Sequence, residues 1–354
     1  MMIEKQKIKV LVVDDSALIR QTLTKVLSSL PGIEVIATAS DPYIAVQKLK
    51  SEKPDVITLD IQMPRMDGLT FLRKIMTQHP IPVVVISSLT KKESQIALDA
   101  YNYGAICVME KPAMSNELLH EQWKHDLHDA VVAAANSRFS NKLIKSFTPA
   151  KTFRQEVANE RPKSQTCNSM ILIGSSAGGT EVILSILSQL PPDTAPILIV
   201  QHMPEIFTTS YAQRLNEYSL QEVKEAEAGD IIRNGQVLLA PGDHHMEIKN
   251  NGFQYFVDLN QKEKVNRHRP SVETLFKSAI PLSGIHIMAI ILSGMGNDGA
   301  AAMLELKKTG ACTIAQSEES SIVYGMPKEA LRLGAADYSL SAKEIVDKIK
   351  SFST

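Results

Sequence analysis

Residues 8–16 read IKVLVVDDS, a run of mainly β-branched apolar residues closed abruptly by two aspartates. The run lacks the alternation of a strand with one wet face. It describes a strand covered on both sides, the condition of a parallel sheet flanked by helices. Runs of the same kind recur at Val35 to Ala37, Val56 to Leu59, Val83 to Ile86 and Cys107 to Met109, with stretches of helical spacing between them. A second series follows at Met170 to Ile173, Ile197 to Val200, Gln236 to Leu239, Ile287 to Leu292 and Cys312 to Ala315, with helices such as Glu181 to Leu190 and Ala300 to Lys308 in between. The expected architecture is α/β throughout: two doubly wound parallel-sheet domains, at 8–125 and 169–352, joined by a linker at 126–168.

A length of 354 residues suits two domains, and 44% hydrophobic against 22% charged residues gives each a core of its own. Leu118, Leu119, Trp123 and Leu127 keep helical spacing, which fades after Ala135; residues 130–155 then hold five Lys/Arg and no Asp/Glu, as in a solvated spacer. The net charge of −1 argues against a nucleic-acid binder. It resolves into +1 over 1–125, +3 over 126–168 and −5 over 169–354. The longest apolar runs have six residues, too short for a membrane span, and the N-terminus has no apolar signal core. Cys107, Cys167 and Cys312 are odd in number and widely spaced, so neither a disulfide framework nor a zinc knuckle is expected. These features predict a cytoplasmic protein.

Ligands of doubly wound sheets sit at the carboxyl ends of strands. In the first half those positions carry Asp14 and Asp15, Asp60, Ser87, and Lys111. Carboxylates crowded on one edge call for a hard cation, and Mg²⁺ leaves room for a phosphoryl group beside it. Asp60 is then the candidate nucleophile for an aspartyl phosphate, with Ser87 and Lys111 on its oxygens. VLVVDDS (10–16), TLDIQMPRMDG (58–68), VVVISS (83–88) and EKP (110–112) together resemble a response-regulator receiver domain. The resemblance implies a flavodoxin-like fold and phosphorylation of Asp60 by a histidine kinase. It also implies a metal pocket of Asp14, Asp15, Asp60 and the Gln62 carbonyl, with Ser87 and Lys111 as switch residues. Val108 stands where the family usually has an aromatic residue.

The second half carries a different chemistry. Gly174-Ser175-Ser176-Ala177-Gly178 is a G-x-S-x-G sequence between a strand and a helix, the context of a nucleophile elbow centred on Ser176. His202 follows the next strand as a candidate base, and Asp298 follows a later one as the orienting acid. The order Ser, His, Asp differs from that of α/β-hydrolases. A rival reading takes Gly294, Gly296 and Gly299 as a dinucleotide fingerprint with Glu318 or Glu319 about 20 residues on, but leaves Ser176 and His202 without a role.

ILIGSSAGGTE (171–181), IVQHMP (199–204), LAPGDHHM (239–246), HRPSVETLF (268–276), LSGMGNDGA (292–300) and YGMPKEA (324–330) resemble the catalytic domain of the chemoreceptor protein-glutamate methylesterases, the CheB family. The resemblance implies a Rossmann-like domain with Ser176, His202 and Asp298 as triad, and the backbone at Met295 and Ala177 on the oxyanion side. His268, Arg269 and Ser271 would line the groove. Ala177, Glu273 and Asp243 depart from the usual Thr, Asp and Gly. Hydrolysis of glutamate γ-methyl esters on methyl-accepting chemoreceptors, with glutamine deamidation, is the implied activity. It would be regulated through Asp60 in a monomer associated with receptor arrays, with no cofactor in the esterase domain. Other possibilities are a paralogue with a different substrate and a non-catalytic binding domain. His120, His125, His128, His244 and His245 complete no metal-ligand spacing and are expected to be solvated.

Overall fold

The computed structural model describes residues 7–88, 94–111, 117–137 and 167–353. Two compact units divide between residues 144 and 145. In the first, β1 (Ile8–Val13), β2 (Ile33–Ala39), β3 (Val56–Leu59), β4 (Val83–Ser87) and β5 (Cys107–Glu110) pair in parallel in the order β2-β1-β3-β4-β5. Chain order reverses between β1 and β3, and the loops leaving their carboxyl ends part there to leave a crevice.

Helices α1 (Ala17–Ser29), α2 (Pro42–Ser51) and α3 (Gly68–Gln78) each start on a side-chain cap. Ser16 accepts the Ile19 N–H, Asp41 those of Tyr43 and Ile44, and Asp67 that of Thr70. Helices α4 (Ser94–Asn102) and α5 (Glu117–Ala135) complete the unit. α5 runs across the 125/126 boundary drawn from sequence, because Leu127, Val131 and Ala134 continue a buried stripe past it. Residues 138–166, most of the sequence-assigned linker, lie outside the described residues.

The second unit contains a seven-stranded parallel sheet in the order β14-β13-β12-β6-β7-β9-β8. Its strands are β6 (Ser169–Ser175), β7 (Ile197–Gln201), β8 (Glu222–Glu225), β9 (Gln236–Leu239), β12 (His286–Ile291), β13 (Cys312–Gln316) and β14 (Tyr338–Leu340). The helices are α6 (Thr180–Leu187), α7 (Glu205–Tyr218), α8 (Val272–Ala279), α9 (Ala300–Lys308), α10 (Met326–Arg332) and α11 (Ala342–Ser353). An antiparallel hairpin, β10 (His245–Asn250) with β11 (Tyr255–Asn260), stands apart from the sheet. Met246, Ile248 and Val257 join the core that holds Leu275 and Phe276 of α8. Fully burying one such side chain contributes roughly 1.5–3 kcal/mol.

Sequence reading missed β8, β10, β11 and β14. β8 and β14 are edge strands with polar, partly exposed faces, and the hairpin alternates where the sheet strands run apolar. His245 corrects the expectation of a solvated loop residue: it is 1% exposed in β10, with Nε2 3.0 Å from the Glu263 carbonyl. His125 is exposed and His128 half-buried beside Asp129; the side chain of His120 lies outside the described residues. No described helix is long and apolar enough to cross a membrane.

The first turn of α6 is pinned from α7. The Tyr211 hydroxyl donates to the Thr180 carbonyl at 2.9 Å, and the buried Arg214 guanidinium meets Glu181 at 2.8 Å. Removing one partner of a buried pair leaves the other uncompensated. Arg214→Ala is therefore expected to cost about 3 kcal/mol, read by chemical denaturation as a lower midpoint with an unchanged slope.

Candidate active site

Three neighbouring strands of the second sheet deliver Ser176, His202 and Asp298 to one edge. β6 lies between β7 and β12 in register, with Ser175 opposite Gln201 and Gly174 opposite Ile291, so the loops that follow the three strands meet. The elbow after β6 is cross-linked to its neighbours. The Ser176 N–H donates to the Ser293 carbonyl at 3.0 Å, the His202 N–H to the Ser175 carbonyl at 3.0 Å, and Gln201 Nε2 to the Ser176 carbonyl at 2.9 Å. Gly294 is glycine because a Cβ there would lie 2.4 Å from Met326 Sδ and 2.9 Å from Ser176 Cβ. This close approach sets Met295, the next residue, beside the serine. Among the described residues no acceptor engages the Met295 or Ala177 N–H.

His202 Nε2 lies 3.0 Å from Asp298 Oδ2, while its Nδ1 is buried and has no hydrogen-bond partner. Nε2 therefore carries the hydrogen and Nδ1 the lone pair. Asp298 is 2% exposed. Its Oδ1 accepts from Asn266 Nδ2 and Ser271 Oγ, each at 2.8 Å, and its Oδ2 also accepts the Val272 N–H at 2.7 Å. Burial raises the carboxyl, but the bonds from His202, Asn266 and Ser271 outweigh it and hold the group well below the ordinary range. His268 stacks on His202 with ring centroids 3.8 Å apart. Burial and the neighbouring His202 push its pKa down to about 3, so it stays neutral.

Depression of Asp298 in the fold fixes the sign of an acid effect. Its stabilisation is full above the ordinary value of 3.8 and is lost as pH falls through the lower folded value. Asp298→Asn is expected to flatten the decline in Tm between about pH 4 and pH 2 by several degrees, measured by calorimetry.

Sequence reading named the three chemical groups, placed Ser271 and His268 only as groove residues by resemblance, and gave Asn266 no role. Asn266 sits in a turn without periodicity. Ser271 was available as the N-cap of α8, where it accepts the Thr274 N–H. In the rival fingerprint, Gly299 is occupied by close packing, since a Cβ there would lie 2.4 Å from Val272. Glu318 and Glu319 are exposed after β13. Of the other expected groove residues, Arg269 is tied to Asp243 by Nε and Nη2 at 3.0 and 2.6 Å. Glu273, buried, accepts the Ala302 N–H at 3.1 Å.

In the first unit, Asp14, Asp15 and Asp60 bring carboxylate oxygens within 4.8 Å of one another at the ends of β1 and β3. Lys111 Nζ donates to Asp60 Oδ2 at 2.8 Å. It lies equally near Asp14 Oδ2, as an ion pair not aligned for a hydrogen bond. Burial raises Asp60, and the charge of Asp14 adds to the rise while Lys111 opposes it. Burial alone would depress the Lys111 ammonium, but the two carboxylates outweigh it and raise it.

Three carboxylates against one lysine leave excess negative charge at the strand ends and fit a hard divalent cation such as Mg²⁺. Ser87 is buried, its Oγ 3.5 Å from the Ser88 carbonyl, and Ser88 Oγ donates to Gln62 Oε1 at 3.2 Å. A Cβ on Gly68 would meet the Asp60 carbonyl at 2.1 Å, so only glycine allows α3 to begin against the acidic strand end. At Val108, where the usual aromatic is missing, the backbone N–H donates to the hydroxyl of Tyr101 from α4 at 3.2 Å. Sequence reading gave Tyr101 no role.

Comparison with known proteins assigns both domains to known families. Residues 171–349 match the CheB methylesterase family and residues 10–122 the response regulator receiver domain. A Rhodospirillum rubrum protein named protein-glutamate methylesterase/protein-glutamine glutaminase 2 is 47% identical over 97% of this chain and 98% of its own length. A protein of the same name from Oleidesulfovibrio alaskensis is 48% identical over 93% and 94%. The crystal structure of the Thermotoga maritima CheB methylesterase catalytic domain covers 52% of this chain and 99% of its own, at 38% identity and a TM-score of 0.51. By these matches over nearly its whole length, the chain belongs to the CheB methylesterase family, with a response-regulator receiver domain ahead of the methylesterase domain.

Proposed function

We propose that this chain hydrolyses glutamate γ-methyl esters on methyl-accepting chemoreceptors, and deamidates glutamine at such positions, as a phosphorylation-regulated enzyme of chemotaxis adaptation in the cytoplasm. The observation that carries this reading is the buried, unpartnered Nδ1 of His202, held beside the serine elbow by the Asp298 bond at Nε2. In this geometry Nδ1 is the base. It takes the Ser176 proton as Oγ attacks the ester carbonyl, while the N–H groups of Met295 and Ala177 receive the oxyanion. The imidazolium, balanced by Asp298, returns that proton to the departing methoxide, and methanol leaves an acyl-serine. Water then adds with its proton taken by Nδ1, Ser176 recovers a proton, and the glutamate carboxylate is released. An amide substrate follows the same course with ammonia leaving.

In the receiver, Asp60 accepts a phosphoryl group from a histidine kinase. Asp14, Asp15, Asp60 and the Gln62 carbonyl would hold Mg²⁺, which supplies charge neutralisation for the phosphoryl oxygens. Lys111 and Ser87 bind those oxygens once Asp60 is modified. The receiver, extended past residue 125 by α5, and the methylesterase domain at 169–352 share this division of labour.

Methanol release from methylated receptor membranes tests the reading. His202→Gln is expected to lower it by on the order of 10⁴-fold or more with receptor binding retained. A His202→Gln chain as fast as the wild type removes His202 as base.

A further inference from the structure

We infer that Gln201 is a positioning residue for ester hydrolysis, aiming the Ala177 N–H at the place where the oxyanion forms. The inference rests on the methylesterase reading above and adds to it the group that holds an oxyanion donor in line. Gln201 closes β7 opposite Ser175 of β6 and is 2% exposed. Its Nε2 donates to the Ser176 carbonyl at 2.9 Å and to the His202 carbonyl at 3.2 Å. One carboxamide therefore ties the loop that carries the nucleophile to the loop that carries the base. Two carbonyl acceptors also fix which end of the side chain is the nitrogen, since an oxygen there would face both of them.

The Ser176 carbonyl and the Ala177 N–H belong to one peptide unit. That unit is planar and trans, so the N–H points away from the carbonyl, and holding the oxygen fixes the direction of the hydrogen. Gln201 holds the oxygen from β7, and the N–H of Gly179, the N-cap of α6, holds it at 3.0 Å. On the far side of Ala177, the Ser293 hydroxyl donates to the Ala177 carbonyl at 2.9 Å. Ala177 is thus clamped through the oxygens on both flanks, while no acceptor among the described residues engages its own N–H. A carbonyl that accepts two hydrogen bonds polarises its peptide unit and makes the N–H at the other end a stronger donor. A preorganised donor of this kind stabilises charge as it develops on the ester carbonyl oxygen.

The other end of the carboxamide argues for use rather than packing. Gln201 Oε1 is buried and has no hydrogen-bond partner among the described residues. A buried acceptor left unpaired costs folding free energy, which an apolar side chain of the same length would avoid. Such departures from what folding favours collect where function needs the group. Ala177 itself, with a methyl side chain, adds no polar hold of its own, so the aim of its N–H depends on Gln201, Gly179 and Ser293.

The test is a single turnover, with the full chain in saturating excess over a methylated receptor peptide. Methanol release then gives a rate constant for the chemical step that an inactive fraction of enzyme does not alter, and the enzyme concentration at half-maximal rate reports binding. Gln201→Met removes the donor at nearly the same length, and Gln201→Glu replaces it by a carboxylate. Losing an oxyanion donor outright costs on the order of 10²–10³-fold and misaiming one costs part of that, so each variant is expected to lower the rate constant by roughly 10- to 100-fold. The half-maximal concentration should be unchanged. Gln201→Met should keep the native fold, since the Ser176 carbonyl retains its bond from Gly179. A role in folding alone would lower the unfolding midpoint and leave the rate constant as it is. A wild-type rate constant in either variant overturns the proposal, as does loss of the native fold in both. A displaced acid limb of the pH–rate profile that accounts for the fall would put the effect on His202 and overturns it too. Failure of the wild type to release methanol refutes the esterase reading instead, and the proposal with it.

Discussion

Ser176→Ala is expected to abolish turnover, lowering methanol release from methylated receptors by on the order of 10⁴-fold or more. The size follows from how the elbow is built. Ser176 is held by its own N–H on Ser293 and by Gln201 on its carbonyl, so the backbone survives loss of the hydroxyl. Alanine removes one oxygen from a half-buried position, and folding stability should change by less than about 1 kcal/mol. Activity and stability therefore separate at this residue. Asp298→Ala should behave differently, with a smaller loss of rate than Ser176→Ala and a larger loss of stability. Its carboxylate orients His202 and also receives Asn266, Ser271 and the first N–H of α8. Methanol assays beside thermal melts of both variants check the contrast. Equal rates for Ser176→Ala and wild type would remove Ser176 as nucleophile.

Asp60→Asn is expected to eliminate phosphoryl transfer to the receiver while leaving it at least as stable as the wild type. The amide is not a phosphoryl acceptor of comparable nucleophilicity, so uptake from a phosphorylated kinase, followed as a mass gain of one phosphoryl group, should fall to background. The stability expectation comes from the raised carboxyl. Burial and Asp14 disfavour its charged form in the fold, and a neutral isostere removes that penalty above the ordinary value of 3.8. Lys111 keeps Asp14 as its partner at 2.8 Å. A gain in Tm of about 1–3 °C is expected at neutral pH. Phosphoryl uptake by Asp60→Asn, on Asp14 or Asp15, would contradict the assignment.

Both groups of residues were legible in the sequence for one physical reason. A parallel strand buried on two faces announces itself as an apolar run, and the residue that ends the run is the residue at the sheet edge. Asp14, Asp60, Ser87, His202 and the elbow at Ser176 were located in that way. The supports were not legible because they obey no period. Asn266 reaches Asp298 from a turn of left-handed backbone, His268 contributes a ring face, and Tyr101 bonds the Val108 N–H from the α4 side of the sheet. The hairpin β10–β11 was missed although its inward residues are apolar, since its alternation reads as surface until α8 is known to cover it.

The most direct measurement is rapid quenching of the full chain with a methylated receptor peptide, followed by mass mapping of the enzyme. The expected result is a burst of methanol accompanied by an acyl adduct on the peptide that contains Ser176, with neither in Ser176→Ala. An adduct on any other side chain, or repeated turnover by Ser176→Ala at the wild-type rate, would contradict a serine nucleophile activated by His202.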